Sequence, residues 1–191
     1  KEYLELENRL FAQLDEAVYA RTGPAGDDLI NRYKRGSLAD RERWSPNWNR
    51  SYEMTVTVPR ALVLLLHGLS DSPYSLRNLA ERLQAAGVHV LGLRVPGHGT
   101  APSGLLDVTW QDMAAAVRLA VRHLAESNPG LPVYVVGYSN GAALAVNYAL
   151  AALNEPGLPP VDRLVLISPE IGISSMAALA LGAHDMARSP T

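Results

Sequence analysis

The most constraining feature of this sequence is a serine placed between two glycines, at the junction of a strand pattern and a helix pattern. Residues 133–136 are β-prone and apolar, and residues 142–146 are small and apolar, as in a buried helix. Ser139 lies between these segments, with Gly137 and Gly141 on either side. A sharp turn requires glycine at both places, because a Cβ would collide with the neighbouring strand or helix. The pattern predicts a nucleophile elbow, with the serine hydroxyl presented at the positive end of a helix dipole.

The Gly-x-Ser-x-Gly pattern alone also occurs in ordinary turns, so its context carries the prediction. Strand patterns cover residues 52–58, 61–66, 88–93, 133–136 and 161–167, and helix patterns cover residues 75–86, 109–126 and 140–153. The runs 61–66 and 161–167 are continuously apolar, as in strands buried on both faces. Strands that alternate with helices predict an α/β fold, a mostly parallel twisted sheet with helices on both faces.

Local signals mark the ends and faces of several elements. Gly87 is predicted to terminate the helix over residues 75–86, and Thr109 with Asp112 to form a capping box at the start of the next helix. Residues 52–58 alternate like a half-exposed strand, in which Met54 and Val58 share an inward face with Val56.

The first fifty residues have a different pattern. Residues 3–20 predict an amphipathic helix that packs on the main domain through Leu6, Leu10, Leu14 and Val18, with Phe11 beside them. A helix that contacts a partner or a membrane is the alternative. Residues 21–50 predict an extended connector anchored by its tryptophans, although Arg beside Trp also occurs where a ligand stacks. We therefore divide the chain into residues 1–50, a core over residues 51–170, and residues 171–191.

Composition excludes several classes of function. The chain has 191 residues, 48% of them hydrophobic, with a formal net charge of −2 and no cysteine. The near-neutral charge gives no argument for a nucleic-acid partner, and the absence of cysteine removes disulfides and thiol catalysis. Apolar runs fall short of the roughly 20 residues of a membrane span. The compartment stays open: the cytoplasm is slightly favoured, and export is the alternative if the N-terminus has been trimmed.

Ligands of such sheets bind beyond the carboxyl ends of the strands, where three loops of this sequence meet. The loops are residues 67–73, residues 94–100 and the elbow. An acyl-transfer site needs two backbone N–H groups aimed at the developing oxyanion. The residue after the nucleophile, Asn140, would supply one donor, and Leu69 in the first loop would supply the other.

The motifs His-Gly-Leu-Ser, Arg-x-Pro-Gly-His-Gly and Gly-Tyr-Ser-Asn-Gly occur in this order on these strand ends. They resemble the α/β-hydrolase fold, and more narrowly its monoglyceride lipase, carboxylesterase and serine aminopeptidase branch, over residues 52–173. The resemblance implies that Ser139 is the nucleophile and that the amides of Leu69 and Asn140 form the oxyanion hole. It also implies that His67, Gly68 and His98 structure the loops and that neither histidine is the general base.

The general base and its acid are not evident. In this fold they follow the nucleophile in the order acid, then histidine, and His184 is the only histidine after Ser139. We expect the sequence to be a piece of a longer chain, with the acid, the base and the remaining part of the domain beyond Thr191; loss of the triad is the alternative. Glu170 is a weaker candidate acid, or a carboxylate at the pocket edge, and His184 is a weaker candidate base.

The function predicted from these motifs is hydrolysis of carboxylic esters through an acyl-enzyme. Residues 171–191 resemble the start of a cap, and its apolar part, residues 171–181, predicts a small-molecule ester with an apolar acyl group as substrate. This chemistry needs no metal or organic cofactor. A peptidase, a thioesterase and a non-catalytic binding domain of the same fold share every motif and remain alternatives.

Overall fold

The computed structural model describes residues 2–17, 19–21, 36–38, 40, 43–100 and 102–170. The predictions that concern Val18, most of the connector, His184 and the cap segment 171–191 lie outside these residues.

A five-stranded sheet forms the centre of the fold. Its strands are β1 (Tyr52–Met54), β2 (Leu62–Leu66), β3 (His89–Leu93), β4 (Val133–Tyr138) and β5 (Arg163–Ile167). They lie in the order β1-β3-β2-β4-β5. β1 pairs with β3 in antiparallel fashion, and the other three pairings are parallel. The predicted α/β fold with a mostly parallel sheet is therefore confirmed.

Four α-helices accompany the sheet among the described residues: α1 (Glu2–Ala17), α2 (Arg77–Ala85), α3 (Trp110–Ser127) and α4 (Asn140–Asn154). Short 3-10 helices cover Tyr19–Arg21, Pro73–Leu76 and Pro102–Leu105. The predicted helix over residues 75–86 thus begins as a 3-10 turn and continues as α2.

The predicted helix signals operate as expected. Gly87 has a φ of +80°, and its N–H donates to the Gln84 carbonyl while the Val88 N–H donates to the Leu83 carbonyl. This pair of bonds is a Schellman motif, which ends α2. At the start of α3, the Thr109 side chain accepts from the Asp112 N–H and the Asp112 carboxylate accepts from the Thr109 N–H, the predicted capping box.

Helices cover both faces of the sheet. Leu62, Leu64 and Leu66 of β2 share one buried cluster with α3 and α4. Val63 and Leu65, which point to the opposite face, share a second cluster with Ala80 of α2. All five residues of β2 are buried, because β3 and β4 flank the strand and helices cover it above and below.

Two strand predictions require correction. The run 161–167 was expected to be buried on both faces, but β5 is the edge of the described sheet and Val165 is 50% exposed. Composition alone does not tell a central strand from an edge strand. The strand predicted over residues 52–58 ends at Met54, and Val58 is 82% exposed, so it does not share an inward face with Met54.

The inward face of α1 also differs from the prediction. Phe11 is buried as predicted, but Leu6 is 62% exposed and the carboxylate residue Glu7 is buried in its place. Leu10 and Leu14 lie at the border of the buried face. The helix is rotated toward Glu7 because this side chain has a buried cationic partner, Arg94, which the hydrophobic pattern does not register.

Candidate active site

The junction between β4 and α4 is a strained turn. Ser139 follows β4 directly, precedes the first residue of α4 and has φ +53° and ψ −117°. A non-glycine residue in such a conformation costs about 1–3 kcal/mol, which the surrounding structure must offset. Strain of this kind supports a functional hypothesis for Ser139.

The two flanking glycines allow close contacts that no side chain permits. A Cβ on Gly137 would lie 2.4 Å from the Gly141 carbonyl oxygen. A Cβ on Gly141 would lie 2.3 Å from the Leu66 carbonyl oxygen at the end of β2. The start of α4 therefore packs directly against the backbones of β4 and β2, which fixes the direction in which the elbow points.

The backbone of Ser139 is anchored while its side chain is not. Its N–H donates to the Ile167 carbonyl over 3.0 Å, and its carbonyl accepts from the Ala142 N–H over 2.9 Å. The hydroxyl does not cap α4, and no side chain in the described part of the chain is hydrogen-bonded to it. A half-buried hydroxyl on a fixed backbone, at a helix N-terminus, is suited to nucleophilic attack.

The loop after β2 lies against the elbow. A Cβ on Gly68 would be 3.4 Å from the Ser139 Cβ and 3.1 Å from the Tyr138 ring. The loop turns at once, since the Asp71 N–H donates to the Gly68 carbonyl and Ser70 has a φ of +56°. Across residues 43–100 and 102–170, neither the Leu69 N–H nor the Asn140 N–H donates a hydrogen bond. Neither amide is therefore engaged by an acceptor within this part of the chain.

His67 joins this loop to the loop after β3. The Val95 N–H donates to His67 Nε2 over 3.1 Å, so Nδ1 carries the proton and donates to the Gly68 carbonyl over 2.9 Å. Burial is the main reason that the pKa of His67 is lowered to about 4; the hydrogen bond to Gly68 opposes this effect, and nearby His98 adds to it. The ring is neutral at physiological pH, and both of its nitrogens are engaged by backbone groups.

His98 lies beside His67, with ring centroids 5.1 Å apart. Its Nδ1 lies 2.9 Å from the Pro96 carbonyl, to which it donates. Its Nε2 is buried and has no hydrogen-bond partner among the described residues. This ring packs within the 94–100 loop, in keeping with a part in holding the loop.

Of the two weaker candidates for acid and base, the structure describes Glu170 only; His184 lies outside it. The Glu170 N–H donates to the Ser139 carbonyl over 3.4 Å, which places this residue beside the elbow. Its side chain is exposed.

The sequence was also compared with known protein families. The family model described as serine aminopeptidase, S33, matches residues 57–189, more than half of the chain. This chain belongs to the serine aminopeptidase family of α/β-hydrolases. The matched region contains four of the five described strands, β2 to β5, together with both loops and the elbow.

Several curated relatives of this hydrolase family member are lipases. The chain is 29% identical to a monoglyceride lipase homolog of Monkeypox virus, over 68% of the chain and 46% of that protein. It is 30% identical to a thermostable monoacylglycerol lipase of Bacillus sp. (strain H-257), over 66% of the chain and 47% of that protein. The chain thus spans about half the length of the curated relatives it matches.

Similar solved structures agree with the fold. A structure from work on the metagenome-derived lipolytic enzymes LipS and LipT matches with a TM-score of 0.61 and 30% identity, over 70% of this chain and 51% of that one. The monoacylglycerol lipase of Paleococcus ferrophilus matches with a TM-score of 0.53 and 23% identity, over 74% of this chain and 53% of that one. At that identity the second match supports the fold alone.

Sequence reasoning missed two polar clusters, of which the first is buried. Glu7 of α1 forms an ion pair with Arg94 in the loop after β3. In a separate cluster, Glu53 of β1 lies between His89 Nε2 at 2.7 Å and His123 Nε2 at 3.1 Å. Glu7 and Phe11 are four residues apart and therefore lie on the same face of the helix, so their spacing could have placed Glu7 inward. Sequence analysis assigns a carboxylate to the exposed face by default, which is why this signal was missed.

The described residues contain no group of three or more His, Asp or Glu side chains arranged to hold a metal ion. None of their helices combines the length and apolar character needed to cross a membrane.

Proposed function

We propose that this protein is a serine hydrolase that cleaves carboxylic esters through an acyl-enzyme on Ser139. The observation that carries the proposal is the strained backbone of Ser139 between β4 and α4, with an unengaged hydroxyl above it. In the first step Ser139 Oγ attacks the acyl carbon and its proton passes to a base, while the alcohol leaves with a proton. Water then attacks the acyl-enzyme and releases the carboxylic acid.

The oxyanion of each tetrahedral intermediate is proposed to bind the backbone amides of Leu69 and Asn140. Support comes from the contact between the Gly68 backbone and the Ser139 side chain, and from the lack of another acceptor for either amide in residues 43–100 and 102–170. Asn140 is also the first residue of α4, so the helix dipole adds to the stabilisation of negative charge at this place.

We place the general base outside the described residues. Both nitrogens of His67 are engaged by backbone groups, and those of His89 and His123 that face Glu53 lie in a separate cluster. His98 packs against His67 within the loop. The base is therefore proposed to lie after residue 170, either at His184 or in sequence that follows Thr191, and the acid at Glu170 or further along.

The substrate class is proposed from the relatives and from the apolar sequence of residues 171–181. Two of the relatives are named as monoacylglycerol lipases or their homologs, which supports an ester with an apolar acyl chain as substrate. In this proposal residues 51–170 form the N-terminal part of the catalytic core and residues 171–191 begin a cap over it. The description of the matching family favours one second candidate, a peptidase.

A fluorophosphonate probe tests the proposal on the full-length protein. We expect covalent labelling that disappears in Ser139→Ala and persists in Ser127→Ala, a control at the exposed C-terminal end of α3. Hydrolysis of a monoacylglycerol and of an aminoacyl amide by the same preparation separates the two candidates. A folded full-length protein that never labels would contradict the serine hydrolase, and cleavage of the amide alone would favour the peptidase.

A further inference from the structure

A buried ion pair ties the N-terminal helix to a loop of the proposed active site. Arg94 Nε donates to Glu7 Oε1 over 2.7 Å, and the two side chains are 8% and 1% exposed. Glu7 lies well outside the matched family region, which begins at residue 57. A charge buried this deeply is tolerated only with its partner in place, so the contact is a specific one.

Ser51 closes this contact into a triangle of hydrogen bonds. Its N–H donates to Glu7 Oε1 over 3.1 Å and its hydroxyl lies 3.2 Å from the same oxygen. The Ser51 Oγ accepts from the Arg94 N–H over 2.8 Å. Glu7 thereby contacts the side chain of Arg94 directly. Through Ser51 it is also linked to the backbone of Arg94 at the end of β3.

From the triangle, further hydrogen bonds reach Gly68, the residue that lies against the elbow. Arg94 donates from a terminal guanidinium nitrogen to the His98 carbonyl over 3.1 Å, which holds the turn of the 94–100 loop. The next residue, Val95, donates to His67, and His67 donates to the Gly68 carbonyl. Gly68 is the residue that lies against Ser139 and precedes Leu69, the proposed oxyanion donor.

The segment that follows α1 makes separate contacts with the same two loops. Ser72 Oγ donates to Asn49 Oδ1 over 2.8 Å. A Cβ on Gly99 would lie 2.4 Å from the Asn49 carbonyl oxygen, so the two backbones touch. The rings of Trp44 and Tyr74 pack edge to face at 6.4 Å. The N-terminal region thus contacts the loops at the site edge of the sheet.

We propose that Glu7 is a positioning residue of this hydrolase: through Arg94 it sets the 94–100 loop, and through His67 it sets the Leu69 amide. The inference rests on the proposed function, because a positioned amide matters only where an oxyanion forms. Donors of this kind lose effect when misplaced by about half an ångström, since their strength depends on preorganisation.

The variant Glu7→Gln tests the inference in the full-length protein. The substitution keeps the size of the side chain but removes the charge that faces Arg94. The NH2 group of the glutamine would also face the Ser51 N–H, and two donors cannot form a hydrogen bond with each other. Glu5→Gln is the matched control, because Glu5 is an exposed carboxylate on the same helix. Three measurements are compared: the rate of fluorophosphonate labelling, the melting temperature, and hydrogen exchange in peptides over residues 67–72 and 94–99.

We expect Glu7→Gln to slow labelling about tenfold or more at a temperature where the protein is fully folded, with faster exchange in both loops. Glu5→Gln is expected to match the wild type in all three measurements. The labelling losses of Glu7→Gln and Arg94→Gln are expected not to add in the double variant, because both act through one contact.

A lower melting temperature with unchanged labelling of the folded protein would overturn the inference and leave Glu7 as an anchor only. Unchanged exchange over residues 67–72 would overturn it as well. A wild-type protein that does not label would instead refute the proposed function, and the exchange data alone would then decide whether Glu7 positions the two loops.

Discussion

The Val95 backbone N–H donates a hydrogen bond to His67 Nε2 over 3.1 Å, and this bond joins the loops that follow β2 and β3. An N–H group cannot accept, so Nε2 must be unprotonated and the tautomer is fixed. The imidazole works as a neutral connector with a donor on one side and an acceptor on the other. Protonation of Nε2 would break the connection.

A pH dependence of stability follows from this connector. Burial lowers the pKa of His67 to about 4 in the folded protein, so the unfolded chain takes up the proton first as the pH falls. The contribution of His67 to the free energy of unfolding is complete above pH of about 6.5 and falls by about 3 kcal/mol as the pH approaches 4.

Urea unfolding of the wild type and of His67→Asn between pH of about 7 and about 4.5 measures this effect. The wild type is expected to lose more stability on acidification than the variant, in which no group titrates at this position. Parallel pH profiles of the two proteins would contradict the neutral connector.

The glycines of the chain predict a sharp contrast between two alanine variants. Gly141→Ala forces a Cβ to within 2.3 Å of the Leu66 carbonyl oxygen, and we expect a loss of about 3 kcal/mol in the free energy of unfolding. Gly157→Ala is the control, because nothing lies within 4 Å of its added Cβ, and its effect is expected to stay within about 1 kcal/mol. Equal stabilities of the two variants in urea titrations would show that α4 can move away from β2.

The proposed oxyanion donor is tested with two variants of Leu69, one that removes the backbone N–H and one that changes only the side chain. Leu69→Pro lacks the amide hydrogen, and we expect turnover or probe labelling to fall by about 10²-fold or more. Leu69→Ala keeps the amide and loses an exposed side chain, so its rate is expected to stay within a few-fold of the wild type. Circular dichroism of both variants checks that they are folded. A fully active, folded Leu69→Pro would refute the assignment.

The Glu53 cluster predicts a second, more acidic transition. Burial raises the pKa of Glu53, but hydrogen bonds from His89 and His123 outweigh it and bring the pKa below its usual range. A lowered folded pKa means that Glu53 stabilises the protein above the pKa of an unfolded carboxyl, and that this contribution disappears as the pH falls through the folded value.

Thermal unfolding of wild type and Glu53→Gln tests this cluster. The difference in melting temperature is expected to be largest near neutral pH and to shrink below pH of about 4. Glu81→Gln, an exposed carboxylate on α2, serves as the control. A difference that does not change with pH would mean that the charge of Glu53 is not what the two histidines bind.

Much of the fold was open to prediction because its signals are local. The alternation of strands and helices, the cap at Gly87 and the box at Thr109 depend on residues within one or two turns of each other. The family motifs likewise identified the loop after β2, which the structure brings to Ser139. The exposure of Val165 was not open to prediction in this way, because it depends on which strands lie beside β5.

The sequence by itself determined the sharp turn after Gly137, since the backbone that leaves no room for a side chain there belongs to Gly141, four residues away. The contact that requires glycine at position 141 is made with Leu66 and exists only in the folded chain. Only the tertiary structure decided that Glu7 lies beside Arg94, 87 residues further along the chain. Hydrophobic periodicity locates apolar surface and does not register the partner that makes a buried charge favourable. That partner exists only once β3 and α1 are packed together, so the connection between the N-terminal helix and the proposed site is a property of the folded chain.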